Sequence, residues 1–373
     1  MNAAESMFDS QWMARALRLA ERGLLTTTPN PRVGCILVKD GISVGEGWHE
    51  RAGEPHAEPH ALRMADAKAK GATAYVTLEP CSHYGRTPPC TDALIAAGIS
   101  RVVVAMQDPN PLVSGKGLAK LRDVGIEVEC GLMETEARTL NIGFVKRMTS
   151  GMPWVRSKIA ASLDGRTALA NGESQWITGE AARRDVHGWR ARSCAVMTGI
   201  DTVLKDDAQL SVRHIPTTRQ PLRVVLDSHL RIPYSAKIFQ GGQVLIVTAT
   251  PDANKISLLE QAGSMVAVLA DENGQVDLHA AIRHLASIGC NEVLVEAGGT
   301  LNGALLQAGL VDELVIYFAP QLLGDFARGI AQLGELEKLD QRINLEWQDV
   351  RHVGKDLRIV VKVTQSHLAL GEG

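Results

Sequence analysis

The sequence has no basic excess: 39 Lys and Arg stand against 42 Asp and Glu, a formal net charge of -3. That balance, with no basic, aromatic-rich stretch, leaves little to neutralise a nucleic-acid backbone. No run of like charge marks a tail. No apolar stretch approaches membrane-spanning length. The opening segment, "MNAAESMFDSQWMARALRLAERG", is acidic and interrupted and has no signal-peptide apolar core. A cytoplasmic protein with a small-molecule partner is expected. Cysteine is sparse: Cys35, Cys81, Cys90, Cys130, Cys194 and Cys290 are scattered over 373 residues. They make no disulfide framework, and a reducing compartment keeps them as thiols, available for metal binding or burial. There is no internal repeat and no low-complexity segment.

What is present is a chain with 45% hydrophobic residues, long enough for two domains with real cores and too long for one small domain. Apolar β-rich runs alternate with helical patterns, which predicts an α/β architecture. The first half reads as helix over 10–22, strands over 33–39 and 42–48 joined at "KDG", helix near 57–70, and strand over 73–78. Helix over 90–97, strand "RVVVAM", helix near 116–124, strand "IEVEC" and helix over 134–147 follow. "MTSGMP" (148–153) is the best linker, because Gly and Pro end the helical pattern there. The division predicted is 1–150 and 151–373. The second half opens with strand "WVRSKIAAS" and helix over 179–191, then strands "CAVMTG", "LRVVLD" and "QVLIVTA". Strand "EVLVEAGG" runs into helix over 300–308, with further strands near 313–319 and 357–363.

In the stretch "TLEPCSHYGRTPPCT", Cys81 and Cys90 are separated by eight residues. Alone, the pair reads equally well as buried thiols. A third candidate ligand lies in "GEPHAEPHAL", where His56-Ala57-Glu58 is an H-x-E unit at a predicted helix start. H-x-E followed by P-C is the order found in zinc deaminases, in which one His and two Cys hold the metal and the Glu carries protons without ligating. One imidazole and two thiolates leave a fourth tetrahedral position for water, and Glu58 is the expected proton shuttle. Pro59 requires the helix to begin at about Ala57, since only in the first turn does its missing N–H remove nothing. The positive end of that helix then favours the Glu58 carboxylate. His60 has Leu62 where a shuttle Glu is needed, and it reads as a surface or packing histidine.

The second half has no G-x-G-x-x-G after a strand, which argues against a Rossmann fold. It has "VEAGGTLNGALL", where Gly298 and Gly299 sit between an apolar strand and a helix. Glycines there let backbone N–H groups approach a phosphate at a helix N-terminus, or simply make a tight turn. Asp164, in "SLDGRTA", reads as a hairpin turn residue rather than a catalytic acid.

The motifs "TPNPRVGCILV", "GWH", "HAE", "TLEPCSHYGRTPPCTDALIAAG" and "DPNP", with "SLDGRTA", "GESQWITG", "TVLKDDAQLSVR" and "VEAGGTLNGALL", closely resemble the bifunctional RibD deaminase-reductases of riboflavin biosynthesis. The resemblance covers nearly the whole chain. It implies a cytidine-deaminase-like three-layer α/β/α domain followed by a dihydrofolate-reductase-like α/β domain. The first would remove the exocyclic amine of a diaminopyrimidinone carrying a phosphoribosylamino group; the second would use NADPH to reduce the ribosyl group to ribityl. It puts zinc on His56, Cys81 and Cys90 and proton transfer on Glu58.

The resemblance further suggests Asn30, His49, Arg86, Asp108 and Asn110 as deaminase-substrate contacts, although Asn30 and Asp108 by themselves read as turn residues beside prolines. For NADPH it suggests Ala160, Trp176, Thr202 and Asp206, with the loop Gly298, Gly299, Thr300, Leu301, Asn302, Gly303 and Ala304. On the reductase-substrate side it suggests Lys158, Ser174, Arg190, Leu210, Arg213 and Glu296. The basic groups suit a phosphate, and Glu296 suits sugar hydroxyls or developing positive charge. Arg190 and Arg213 read equally well, without the resemblance, as solvated surface charges. Ala208 departs from the family, which more often has proline after the paired aspartates; a looser loop is expected. A homo-oligomer is expected. Two other classes stand beside this reading: a zinc deaminase of nucleic acid with a C-terminal binding module, disfavoured by the charge balance, and a non-catalytic scaffold, disfavoured by the intact H-x-E and both cysteines.

Overall fold

A computed structural model of the chain describes residues 3–84, 88–111 and 113–364. The chain divides into two compact units, Met1–Gly151 and Met152–Gly373. Among the described residues no helix is long and apolar enough to cross a membrane.

The first unit comprises α1 (Ala3–Glu21), β1 (Gly34–Lys39), β2 (Ile42–Trp48), α2 (Ala57–Ala65), β3 (Thr73–Val76), α3 (Cys90–Ala96), β4 (Arg101–Val104), α4 (Lys116–Asp123), β5 (Glu127–Cys130), α5 (Glu134–Leu140) and α6 (Ile142–Ser150). Its sheet runs β2-β1-β3-β4-β5. β1 is antiparallel to both β2 and β3, whereas β3, β4 and β5 are parallel. The β1–β2 hairpin turns at Asp40 and Gly41, both at positive φ (50° and 75°), as a tight two-residue hairpin turn demands.

Two glycines decide how α2 seats. A Cβ on Gly45 would lie 2.2 Å from the Ala61 carbonyl, and one on Gly47 would lie 2.3 Å from the Ala57 carbonyl. The helix therefore lies almost on the backbone of β2, which fixes the height of His56 and Glu58 above the sheet. Ile36, Leu37, Tyr75, Leu94 and Met106 are fully buried in the core around that sheet.

Two expected helices are interrupted. α2 stops at Ala65, where Asp66 takes φ 49°, and continues only as a 3-10 turn, Asp66–Ala69. The helix expected over 134–147 breaks at Asn141, whose side chain is drawn into pairing with Arg32: Oδ1 accepts from the Arg32 N–H (2.8 Å) and Nδ2 donates to the Arg32 carbonyl (2.9 Å). The break ties down the loop that carries Asn30. α6 runs through Ser150, and Gly151 caps it at φ 69°, where the two units divide.

The second unit comprises β6 (Trp154–Ser162), β7 (Arg166–Ala168), α7 (Glu180–Arg192), β8 (Ala195–Gly199), α8 (Ile200–Asp206), β9 (Leu222–Leu226), β10 (Val244–Thr248), α9 (Ala253–Gln261), β11 (Met265–Val268), α10 (Leu278–Ser287), β12 (Glu292–Glu296), α11 (Gly299–Gln307), β13 (Glu313–Ala319), β14 (Arg328–Gly329), β15 (Asn344–Val353) and β16 (Asp356–Thr364). Nine strands form one sheet in the order β11-β10-β9-β8-β12-β6-β13-β16-β15. It is parallel from β11 to β13 and antiparallel at β16 and β15. The strands "VLIVT" and "LRVVL", apolar but for Arg223 and Thr248, sit among the parallel strands and are almost entirely buried, as strands covered on both faces require.

The hairpin expected at Asp164 does not form. β7 pairs with β14 in a separate two-stranded ribbon rather than with β6. The Asp164 carboxylate accepts from the Ser162 hydroxyl (2.5 Å) and from the N–H groups of Leu323 (3.2 Å) and Gly324 (2.8 Å). Long-range acceptor geometry, rather than strand pairing, shapes that turn.

Candidate active sites

In the first unit α2 begins at Ala57, with His56 in extended geometry as its N-cap residue (φ -72°, ψ 177°). Glu58 and Pro59 occupy the first turn, where proline costs no hydrogen bond. The two cysteines are stitched together by hydrogen bonds between the ends of the segment that separates them. The Cys90 N–H donates to Cys81 Sγ (3.3 Å), and both the N–H and the hydroxyl of Thr91 donate to the Cys81 carbonyl (3.2 Å each). This brings both sulfurs against the imidazole: His56 Nδ1 lies 3.6 Å from Cys81 Sγ and 3.3 Å from Cys90 Sγ. Among the described residues these three form the one His/Cys/Asp/Glu group whose ligand atoms, all within 4.8 Å of one another, could hold a metal ion. Two thiols and an imidazole are a donor set that suits zinc and not the hard cations.

The electrostatics match that donor set. A hydrogen bond from the Cys90 thiol, with His56 beside it, holds the Cys81 thiol well below its usual range; the same coupling to Cys81, with burial and Glu58, pushes Cys90 up. Glu58 is 3% exposed, and its Oε2 has no hydrogen-bond partner. Burial raises its carboxyl pKa, with His56 opposing. A buried carboxylate oxygen without a partner beside three converging soft donors is the arrangement expected of a proton carrier facing a metal centre rather than of a ligand. His60 is outside this cluster: it is half-buried, and a Cβ on Gly47 would lie 2.6 Å from its own Cβ, so it packs on β2.

Of the expected substrate contacts, Asn30 and His49 meet directly, with Asn30 Nδ2 3.0 Å from His49 Nε2. The other ring nitrogen of His49 is held 3.0 Å from the Pro55 carbonyl, and its ring packs edge-on to His56 at 5.3 Å. Burial lowers the His49 pKa, which keeps the ring neutral. The Asp108 carboxylate accepts from the Asn110 N–H (2.8 Å), a local turn, and burial raises its pKa. Arg86 lies outside the described residues. One residue that the sequence reading passed over is Glu79, 4% exposed, whose carboxylate accepts four backbone N–H groups from the segment after β4.

The second unit contains a cleft of about 1450 Å³. Gly199, Leu226 and Glu296, at the carboxyl ends of β8, β9 and β12, line it, the position where open α/β sheets bind ligands. Lys158, Ala160, Ser174 and Trp176 line it, as do Arg190, Thr202, Asp206, Leu210 and Arg213, with Gly298, Gly299, Thr300, Leu301 and Ala304 from the start of α11.

Asn302 and Gly303 face away from the cleft, contrary to expectation. Asn302 is 1% exposed and bonds inward to Ser157, Ala297 and Ile330. A Cβ on Gly303 would lie 2.0 Å from the Gln332 carbonyl. The glycines also divide by role. A Cβ on Gly299 would meet the Gly329 carbonyl at 2.8 Å, whereas one on Gly298 would meet nothing within 4 Å. Gly299 and Gly303 thus let α11 pack against the 329–332 segment, and Gly298 leaves the helix N-terminus uncovered. That uncovered N-terminus, with the 68%-exposed Trp176 under the Arg183 guanidinium (4.5 Å), fits a phosphate-bearing dinucleotide with a flat ring.

Arg190 is neither a free surface charge nor an unengaged phosphate ligand. It grips both oxygens of Glu296 (2.5 and 2.9 Å) and donates to the Ser211 carbonyl (3.0 Å). Burial opposes the Glu296 charge, but Arg190 and then Lys158 hold the carboxyl below its usual range. Burial pushes the Lys158 ammonium down, with Glu296 partly offsetting. His187, beside Arg213 and stacked edge-on to His214 at 4.6 Å, is held neutral, its pKa lowered to about 4 by burial and then by Arg190. The loop at Ala208 is pinned by Asp207, which accepts from the Lys237 N–H (2.9 Å) and pairs with its ammonium (3.0 Å). Ser228, His229 and Arg231, which follow the strand "LRVVLD" and carry no motif in the sequence, also line the cleft.

A His/Cys/Cys centre with a buried carboxylate in one unit, and a nucleotide-sized cleft at the strand ends of the other, define a zinc deaminase joined to a reductase. Family comparison agrees in both halves: residues 6–106 match the cytidine and deoxycytidylate deaminase zinc-binding region, and residues 153–359 match the RibD C-terminal domain. The chain is 53% identical over 364 residues to riboflavin biosynthesis protein RibD of Escherichia coli, covering 94% of this chain and 98% of that one. The corresponding protein of Aquifex aeolicus is 43% identical over 95% of this chain and 98% of its own. Among solved structures, Acinetobacter baumannii RibD superposes with a TM-score of 0.91 at 48% identity, over 96% of this chain and all of that one. A Thermotoga maritima diaminohydroxyphosphoribosylaminopyrimidine deaminase/5-amino-6-(5-phosphoribosylamino)uracil reductase gives 0.85 at 33% identity over the same shares. The chain belongs to the RibD family: it is a bifunctional deaminase and reductase of riboflavin biosynthesis that uses zinc and NADPH.

Proposed function

We propose that the first unit deaminates diaminohydroxyphosphoribosylaminopyrimidine, and that the second reduces the ribosyl group of the resulting 5-amino-6-(5-phosphoribosylamino)uracil to ribityl. The single observation that carries the deaminase half is the buried, partnerless Glu58 Oε2 beside the three converging donors His56, Cys81 and Cys90. The bound zinc would supply Lewis acidity that makes water a nucleophile near neutral pH. Glu58 takes the water proton and returns one to the departing amine. Neutral His49, held by Pro55 and Asn30, orients the pyrimidine, and Arg86, Asp108 and Asn110 complete its contacts.

In the second unit, bound NADPH would supply the hydride. The open N-terminus of α11 at Gly298 takes its pyrophosphate, and Ala160, Trp176, Thr202 and Asp206 complete that side. Arg190 fixes the Glu296 carboxylate, so Glu296 and Lys158 together present a held acid-base pair to the sugar. Arg213, exposed on the cleft wall, is left for the substrate phosphate, with Ser174 and Leu210 flanking. The expected homo-oligomer and cytoplasmic location belong to the same reading. The exposed edge strand β15, with Trp347 69% and Val350 54% exposed, is where a second copy would pair.

Product mass spectrometry tests the reading. With the diaminopyrimidinone phosphate alone, the wild-type chain should give only the deaminated ribosyl compound, and with NADPH the ribityl compound. A reduced product that keeps its amine would reverse the order, and no mass change with either would exclude this substrate.

A further inference from the structure

Glu79 stands two residues before Cys81 and has no role in the chemistry described above. Its carboxylate is 4% exposed and is met on both oxygens: Oε1 accepts from the N–H groups of Gly117 (2.8 Å) and Leu118 (3.4 Å), and Oε2 from those of Asp108 (3.0 Å) and Gly115 (2.9 Å). Gly117 and Leu118 belong to the first turn of α4, whose N-cap residue, Gly115, has no side chain with which to cap it. An acid from another strand end therefore does the capping. The approach is close: a Cβ on Gly117 would lie 2.1 Å from the Pro80 carbonyl and 3.1 Å from Glu79 Oε1.

We propose that Glu79 is a positioning residue of the deaminase, a buried four-bonded carboxylate that locks Asp108, and through it Asn110, against the loop carrying the zinc ligand Cys81. The proposal rests on the reading of Asp108 and Asn110 as substrate contacts. The chain of contacts is short. Glu79 holds the Asp108 N–H; the Asp108 carboxylate in turn holds the Asn110 N–H at 2.8 Å; and the Glu79 N–H donates to the Met106 carbonyl at 3.0 Å. One side chain thus sets the spacing between the metal-binding loop and the far wall of the pyrimidine site. An error of about 1 Å in such spacing can cost up to about a hundredfold in rate.

The test is Glu79→Gln in the full chain. An amide has one acceptor oxygen and one donor nitrogen, so in either orientation two of the four N–H groups lose their acceptor and face another donor. Hydrogen exchange, zinc content and kinetics are measured together. The expected result is faster amide exchange confined to peptides covering Asp108, Gly115, Gly117 and Leu118, and zinc retained at one per chain. KM for the deaminase substrate should rise about tenfold or more while kcat falls less, with unchanged reduction of the deaminated substrate. Gly117→Ala, which keeps the carboxylate but drives a Cβ against the Pro80 carbonyl and Glu79 Oε1 and so pushes the α4 donors away, should reproduce the same pattern and serves if the Gln variant does not fold. An unchanged KM, unchanged exchange at those amides, or loss of zinc would each overturn the proposal. Failure of the substrate reading looks different: the wild-type chain would not deaminate the pyrimidine at all, whatever the exchange of its amides.

Discussion

A carboxylate at 3% exposure with one oxygen partnerless is expensive to keep, and Glu58 is kept in that state by the way α2 sits on Gly45 and Gly47. In the proposed mechanism the partner of that oxygen is the reacting water or amine. Glu58→Gln should therefore keep one zinc per chain and lose deamination by about 10²–10⁴-fold, since the amide preserves shape and cannot accept the proton. His56→Ala should lose both zinc and activity, and His60→Ala neither. Metal analysis beside an endpoint assay checks all three. Near-native deamination in Glu58→Gln would remove Glu58 from the mechanism, and loss of zinc would make it a ligand.

Much of this site was legible in the sequence, because H-x-E, P-C and Pro59 constrain one another: only a helix starting at Ala57 tolerates Pro59 in its first turn. Glu79 was not legible. Its four donors come from residues 29 to 39 positions away, and no local pattern encodes a cap supplied from such a distance. Arg190 was ambiguous for a similar reason, since its Glu296 partner lies 106 residues on.

At the scale of elements, α11 shows how the glycines of one strand-turn-helix motif divide between packing and access to the cleft. Gly298 and Gly299 read as allowing phosphate approach or as a tight turn; both line the cleft, but a Cβ on Gly299 or Gly303 would meet the 329–332 backbone, whereas one on Gly298 would meet nothing within 4 Å. Gly298→Val should thus raise the apparent constant for NADPH and leave the thermal midpoint nearly unchanged. Gly299→Val should lower the midpoint, because it drives a side chain into the Gly329 carbonyl. A cofactor titration beside a melting curve separates the two, and a destabilised Gly298→Val with unchanged cofactor dependence would move the phosphate site elsewhere.

Elements with strong apolar periodicity or a turn signal, such as β1–β2, β6 and β12, were readable from sequence. The stretches holding α9, α10, β11 and β15 were not assigned. β15 is solvent-exposed along most of its length, so it carries no buried-face alternation to read. The break at Asn141 was hidden because its cause is Arg32, more than a hundred residues earlier.

At the scale of the whole molecule, the two residue sets do not overlap. Every donor of the zinc centre lies before Gly151, and every residue lining the reductase cleft lies after it. The first half of the expected linker "MTSGMP" is the last turn of α6, and the division falls at its C-cap, Gly151. Two chemistries on one chain should then fail one at a time. The most direct measurement uses full-length Cys81→Ser, assayed for zinc content, for deamination, and for NADPH-dependent reduction of the deaminated substrate supplied from outside. Zinc and deamination should be lost while reduction continues at the wild-type rate. Loss of reduction as well, in a variant that remains folded, would contradict the assignment of each chemistry to its own unit.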